Sequence, residues 1–186
     1  YHLVVVPRIT KGLAELGDLK SFSNIILRTS ALPDLAYHID GLFYDRGFNI
    51  ISRAQLGELA RPFGQIFIKL DRTGSGEGIA KLSVNSLIDH IFKRDCVLQR
   101  PIRQHPLFDH MVTGSVATLR ITTAKGPDGM ISKRGATLRL GRASTEWVQS
   151  GSQIRVALSD QGALDETGYM ADWRACTAHP DSGFVF

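Results

Sequence analysis

Long apolar runs are missing from this sequence. The longest, residues 3–6, has only the length of a strand, far short of the ~20 residues a membrane-spanning helix needs, so no membrane span is expected. Cysteine is scarce. Cys96 and Cys176 are the only two, too few for a disulfide framework, and Cys96, which opens an apolar stretch, reads as a small core residue. The six histidines show no metal-ligand spacing. Also missing are a basic leader with a small-residue cleavage site, an internal repeat, a run of five like charges and a Gly-x-Ser-x-Gly nucleophile elbow. A reduced, cytoplasmic protein is the expectation. Aromatic residues make up 8% of the chain and do not interleave with arginines as a base-stacking platform requires, so nucleic acid is not an expected partner.

What is present suits a folded domain. The 186 residues are 43% hydrophobic, enough for one domain or two tightly joined lobes with a real core. A surplus of 22 basic over 18 acidic side chains gives a net charge of +4 and a mild bias toward anionic partners such as nucleotides and phosphosugars. The chain begins at Tyr1 without methionine and stops at Phe186 inside an apolar run. It reads as a piece of something longer.

Periodicity and punctuation place the elements. Apolar residues at helical spacing predict a helix over 18–30, and short strands follow at 35–39, 43–44 and 48–51. Ser52 with Gln55 three residues on is a capping box, predicting a helix over 53–61 that ends at Pro62. Strands at 65–70 and 79–83 flank the glycine-rich stretch 71–78 as a hairpin, and Asn85 or Ser86 would cap a short helix over 87–94. An apolar strand interrupted by Pro101 covers 96–103. Two long strands, 116–123 and 130–140, flank a Gly126-Pro127-Asp128-Gly129 turn. A further strand covers 153–158, with Asp160-Gln161-Gly162 as its turn, and the stretch beyond is mixed. The order suggests an α+β fold in two layers, with a largely antiparallel sheet in the second half.

Three segments carry chemistry. Lys69 ends an apolar strand, and Gly74, Gly76 and Gly78 follow it at alternate positions. Residues without a Cβ let backbone N–H groups approach phosphate oxygens, and the ammonium supplies charge. A Walker loop has the opposite order, with the lysine after the glycines; a flexible structural hairpin is the alternative. The second segment, Val97-Leu98-Gln99-Arg100-Pro101-Ile102, suits a flat ring held at its edge by backbone and on its faces by apolar side chains, or is simply a strand end. The third is Ala117-Thr118-Leu119-Arg120 with its echo Ala136-Thr137-Leu138-Arg139. If the glycine turn pairs these strands, Arg120 and Arg139 project onto one face. They would repel unless an anion joins them or acidic neighbours pair with them. The tryptophans Trp147 and Trp173 read as core or lobe-packing residues, with an aromatic face for a sugar-like acceptor as the alternative.

Together these segments resemble the ATP-grasp superfamily, in its sugar-transfer-associated branch related to α-L-glutamate ligases. The matching residues are the Lys69 strand with Thr73–Gly78, Val97 to Pro106, Ser115 to Thr123 and Thr137 to Arg142; Asp18-Leu19-Lys20 looks like the family's early lysine motif. The resemblance implies a two-lobed fold: 1–17 an N-terminal segment, 18–94 the small lobe with the glycine loop, and 95–186 part of the large lobe, incomplete at its C-terminus. It implies ATP and Mg²⁺ as cofactors. Lys20 and Lys69 would contact the phosphates, and Gly74, Ser75, Gly76 and Gly78 would close over them. Gln99 and the backbone of Arg100 and Ile102 would meet adenine, and Arg120 and Arg139 would hold the γ-phosphate or acyl phosphate as catalytic residues. The implied partners are an adenine nucleotide, a small-molecule carboxylate, and an amine or sugar-like acceptor.

The implied activity is carboxylate–amine ligation in cell-surface polysaccharide or small-metabolite assembly. The family's metal ligands have no counterpart before Phe186, and Ala117 stands where the family often has Asn. Asp160, Asp165 and Glu166 are the nearest acids and read as solvated turn residues. A non-catalytic nucleotide- or phosphosugar-binding module therefore stands as the alternative.

Overall fold

The computed structural model describes residues 13–112 and 114–186. The expected strand at 3–6 lies outside them. The chain divides into two compact units, Tyr1–Ile102 and Arg103–Phe186. The sequence-based boundary at 94/95 moves, because the strand Cys96–Gln99 hydrogen-bonds on both sides within the first unit's sheet.

The first unit is built on six strands: β1 (Asp34–Ile39), β2 (Leu42–Asp45), β3 (Ile50–Ile51), β4 (Gln65–Leu70), β5 (Ile79–Ser83) and β6 (Cys96–Gln99). All pairings are antiparallel, in the order β3-β2-β1-β6-β4-β5. Alternation along the strands sends Ala36, Ile66, Ile68, Cys96 and Leu98 to one face, where they bury against Leu56 and Ala60 of a helix, Arg53–Ala60, and against Leu87. Cys96 is the expected core residue, and burial pushes its thiol up to about 12. The capping box forms as read: Ser52 Oγ accepts from Gln55 N, and Gln55 Oε1 accepts from Ser52 N at 2.8 Å.

Two predicted helices are different in the structure. Over 18–30 lie the end of a 3-10 stretch, Leu13–Asp18, a 3-10 turn, Lys20–Phe22, and a short helix α1, Ser23–Ile26. Ser21 N–H donates to the Asp71 carboxylate rather than to a helical carbonyl, and Arg28 turns the chain with φ 49°. The helix Arg53–Ala60 is α2. The helix expected over 87–94 is instead α3, Val84–Leu87, capped by Ser83. Its continuation is blocked from a distance. Arg53 Nη1 donates to the carbonyls of Leu87, Ile88 and His90, at 2.7 Å for the last two, taking acceptors a longer helix would need.

The second unit is a meander of β7 (Thr118–Lys125), β8 (Ile131–Leu140), β9 (Ile154–Leu158), β10 (Leu164–Tyr169) and β11 (Ala175–Cys176), each paired antiparallel with the next. The glycine turn joins β7 to β8 as read, closed by Gly126 N–H to Met130 O at 2.8 Å. One sheet face buries Leu138, Leu140, Ile154 and Val156 against Met111, Val112, Phe184 and Phe186. β10 was not expected. Asp165 and Glu166 therefore lie in a strand rather than in a turn. Mostly antiparallel sheet with few helices is a narrower description than the α+β expectation, since the longest helix among the described residues has eight residues.

The end of the second unit is locked by a compact knot. Buried His179 takes the N–H groups of Asp181 and Ser182 on Nδ1, so its Nε2–H donates to Gly141 O at 2.8 Å. Asp181 meets Arg142 with two parallel bonds, at 2.8 and 2.7 Å, and also accepts from Ala143 N. Ser182 Oγ donates to Met111 O at 2.7 Å.

Candidate functional site

The first unit's sheet has a second face, and the candidate site lies on it. A register shift between Asp34 and Ala36 turns Asp34 onto the same face as Tyr37. Cross-strand pairing then sets out two rows, Tyr37–Val97–Lys69 and Asp34–Gln99–Phe67. Asp34 is buried and held from both sides: Gln99 Nε2 donates to Oδ1 at 2.7 Å, and Tyr37 Oη to Oδ2 at 3.1 Å. Burial first and then this carboxylate push the Tyr37 phenol up, so it stays a donor. Phe22 and Tyr37 both stack on Phe48, with centroids 5.7 and 4.7 Å apart, which seats the 3-10 turn Lys20–Phe22 beside the sheet.

The strand β4 and the loop that follows it close one side. Residues 71–78 carry four positive φ angles, at Arg72, Ser75, Gly76 and Gly78. Two of these are not glycine, a local strain that a folded loop must offset elsewhere. At Gly78 a Cβ would press on Thr73 and Leu70, so only glycine lets the two limbs of the loop approach. The loop's base is tied down by Lys20 and Ser21. Lys20 Nζ donates to Leu70 O at 2.8 Å and to Thr73 O at 2.6 Å. Asp71 accepts from Ser21 N at 3.0 Å and from the Ser21 hydroxyl.

Between these walls is a cleft of about 290 Å³ lined by Lys20, Leu32, Lys69, Val97, Gln99 and residues 73–77 of the loop. That volume is at the small end for ligand pockets; it suits a phosphate chain or one flat ring better than a large substrate. Burial is the largest influence on both lysines and holds each below the ordinary lysine value. Lys20 also lowers Lys69, and Asp34 is the one charge that opposes this. Lys69, desolvated beside a second cation and the glycine loop, is a charge that an anion would relieve.

Of the sequence-predicted residues, the fold brings Lys20, Lys69, Gly74, Ser75, Gly76 and Gln99 to this one cleft. Gly78 stands at its edge, its carbonyl accepting from Leu70 N at 2.8 Å. Arg100 and Ile102 do not line it: both are exposed, and Arg100 N–H donates to Pro33 O at 2.9 Å. Arg120 and Arg139 lie in the second unit on one face of its sheet, as the hairpin reading required, since Thr118 pairs with Arg139 and Arg120 with Thr137. Sequence reasoning missed Asp34, Tyr37, Ser21 and Asp71. The bulge and the fifty-residue separation between Ser21 and Asp71 leave no local signal for them.

Among the described residues no group of three His, Cys, Asp or Glu gathers to hold an ion. Asp160 pairs with Lys133 at 2.6 Å, and Asp165 accepts from its own neighbour, Thr167 N. Among the described residues no helix is long and apolar enough to cross a membrane.

No protein-family model matches the chain, and no curated protein does. A solved structure, D-alanyl-alanine synthetase A from Vibrio cholerae O1 biovar eltor str. N16961, is similar over 80% of this chain and 54% of its own, with 11% identity and a TM-score of 0.41. The chain thus spans about half the length of that synthetase.

Proposed function

We propose that the first unit binds the phosphate chain of an adenine nucleotide in the cleft between Lys69 and the 73–77 loop, and that the protein acts as an ATP-grasp-type ligase. The observation that carries the binding step is the Lys69 ammonium, held half-desolvated beside a second lysine on a cleft wall of glycine backbone. Lys69 supplies the charge for the phosphate oxygens. Lys20 orders the loop, and the loop's N–H groups and the Gln99 edge orient the nucleotide. The motif resemblance supplies the reaction class: a carboxylate is activated as an acyl phosphate, and an amine or similar nucleophile displaces the phosphate. In that resemblance Arg120 and Arg139, which belong to the second unit, are the residues implied to hold an anionic group. Cell-surface polysaccharide or small-metabolite assembly is the setting this chemistry would serve.

Mg²⁺ would supply charge neutralisation of the phosphates, and it needs only one or two protein carboxylates beside phosphate and water oxygens. The cleft taken without the ligase chemistry supports a second reading, a nucleotide- or phosphosugar-binding module without catalysis. One pair of measurements separates the readings. Calorimetric titration with a non-hydrolysable ATP analogue tests binding; absence of binding overturns both. ADP release with Mg²⁺ and a panel of carboxylates and amines tests turnover, and its absence in a chain that binds ATP leaves the module reading.

A further inference from the structure

The register of the second sheet places a third arginine beside the two that the sequence singled out. Arg139 of β8 pairs directly with Arg155 of β9, while Arg120 of β7 lies diagonal to Arg139 on the same face. Like charges directly opposed across strands disfavour the pairing. Burial is the main influence lowering the pKa of Arg139, followed by Arg120 and Arg155. Arg139 is also oriented. Gln153, almost wholly buried, accepts from its Nε–H and so fixes the guanidinium plane.

Next to this row stands an exposed aromatic residue in a turn whose backbone conformation does not favour it. Trp173 is 69% exposed. It holds φ at 69° in the turn between β10 and β11, a conformation that favours Gly or Asn and is unfavourable for a bulky side chain. Of the two expectations for Trp173, core packing is not met and an exposed aromatic face is. Its ring lies under the Arg155 guanidinium at 4.7 Å, and Tyr169, which pairs with Arg155 on the same sheet face, approaches it at 6.5 Å.

We propose that this face binds a small molecule that joins a ring to an anionic group: Arg120, Arg139 and Arg155 take a phosphate or carboxylate, and Trp173 takes the ring. Planar guanidiniums match the paired oxygens of either anion, and an exposed indole offers a flat apolar surface for a sugar or aromatic ring. This names a substrate class for the ligase reading, with which it shares Arg120 and Arg139. It does not depend on nucleotide binding in the first unit.

The test uses the full chain carrying Lys69→Met, so that cleft binding of anions is suppressed. Phenyl phosphate, benzoate and inorganic phosphate are titrated by calorimetry and by the two indole N–H signals in NMR. The expected result is that at least one ring-bearing anion binds tenfold or more tighter than inorganic phosphate, shifting the Trp173 signal; the tighter of the two identifies the anion. Trp173→Asn suits the positive φ and should keep the fold. It should abolish the ring preference while sparing phosphate binding. Arg155→Gln and Arg139→Gln should each weaken all binding severalfold. Equal affinity for phosphate and both ring anions, an unmoved Trp173 signal, or binding unchanged in both arginine variants overturns the proposal. A failure of ATP to bind the wild-type chain, by contrast, removes only the nucleotide reading.

Discussion

Lys20 and Thr73 are joined twice: the ammonium donates to the Thr73 carbonyl at 2.6 Å and to its hydroxyl at 3.1 Å, while that hydroxyl donates to Leu70 O at 2.8 Å. The near end of the glycine loop is therefore fixed from outside its own hairpin. Lys20→Met should speed amide exchange across 71–78 about tenfold in the ligand-free protein, corresponding to roughly 1.5 kcal/mol for charge-assisted bonds at a partly exposed site. Lys69→Met should leave those rates alone. Equal exchange in the Lys20 variant and wild type would remove the latch.

Lys69 should show opposite effects on binding and stability. Loss of its ammonium should weaken an ATP analogue by about 1.5–3 kcal/mol, roughly 10- to 100-fold. Because burial lowers its folded pKa, the unfolded chain binds the proton more readily. Stability from this group is thus lowest at neutral pH and rises as pH climbs through the lowered folded pKa toward the ordinary lysine value. Lys69→Met should melt no lower than wild type at pH 7 and should lose the alkaline gain. Melting curves from pH 7 to 10 decide it, and a large loss of stability at pH 7 would count against the argument.

Arg53 is expected not to tolerate lysine. Besides its carbonyl contacts on 87–90, its guanidinium lies 5.3 Å from the Phe43 ring centroid and 5.5 Å from that of Phe92. An ammonium lacks the planar fork and stacks less well. Arg53→Lys should cost about 1–2 kcal/mol and Arg53→Ala about 2–3 kcal/mol in chemical denaturation, from lost bonds and stacking together. A neutral lysine variant would show that the carbonyls find water instead.

Asp181 links stability to acid. The Arg142 side-chain bond above all, with the Ala143 N–H, holds its carboxyl well below the usual carboxylate range. Its contribution is present above the unfolded value near pH 3.9 and fades as pH falls below it. Partial exposure keeps the effect modest, about 1 kcal/mol. Asp181→Asn should lower the melting temperature at pH 7 and flatten the decline from pH 5 to 3. An unchanged acid limb would contradict it.

Much of this architecture was legible where the signal is local. The β7–β8 hairpin follows from β-branched strands around a glycine turn, and α2 from a capping box that forms as written. What was not legible is decided at long range. The stretch after α3 is shaped by Arg53, more than thirty residues earlier, and the 3-10 turn at Lys20 by a loop fifty residues later. β10 is polar, with Asp165, Glu166 and Gly168 in poor strand company; pairing to β9 makes it a strand, and Gly168 is needed because a Cβ would strike the Phe186 ring. The site shows the same division. Lys69 and the glycines announce themselves by adjacency, whereas Arg155 meets Arg139 only through register.

The strand order of the two sheets also sets when each can be completed as the chain emerges. In the second unit every strand pairs with its immediate successor, so closure is local in sequence and can follow synthesis step by step. The first unit has the reverse problem, because β6, its last strand to be made, sits in the middle between β1 and β4. Until residue 99 is available, β1–β3 and β4–β5 are two separate ribbons with unpaired inner edges, exposed to mispairing. Insertion of one four-residue strand then joins them, and the cleft wall carrying Val97 and Gln99 comes into being in that same event.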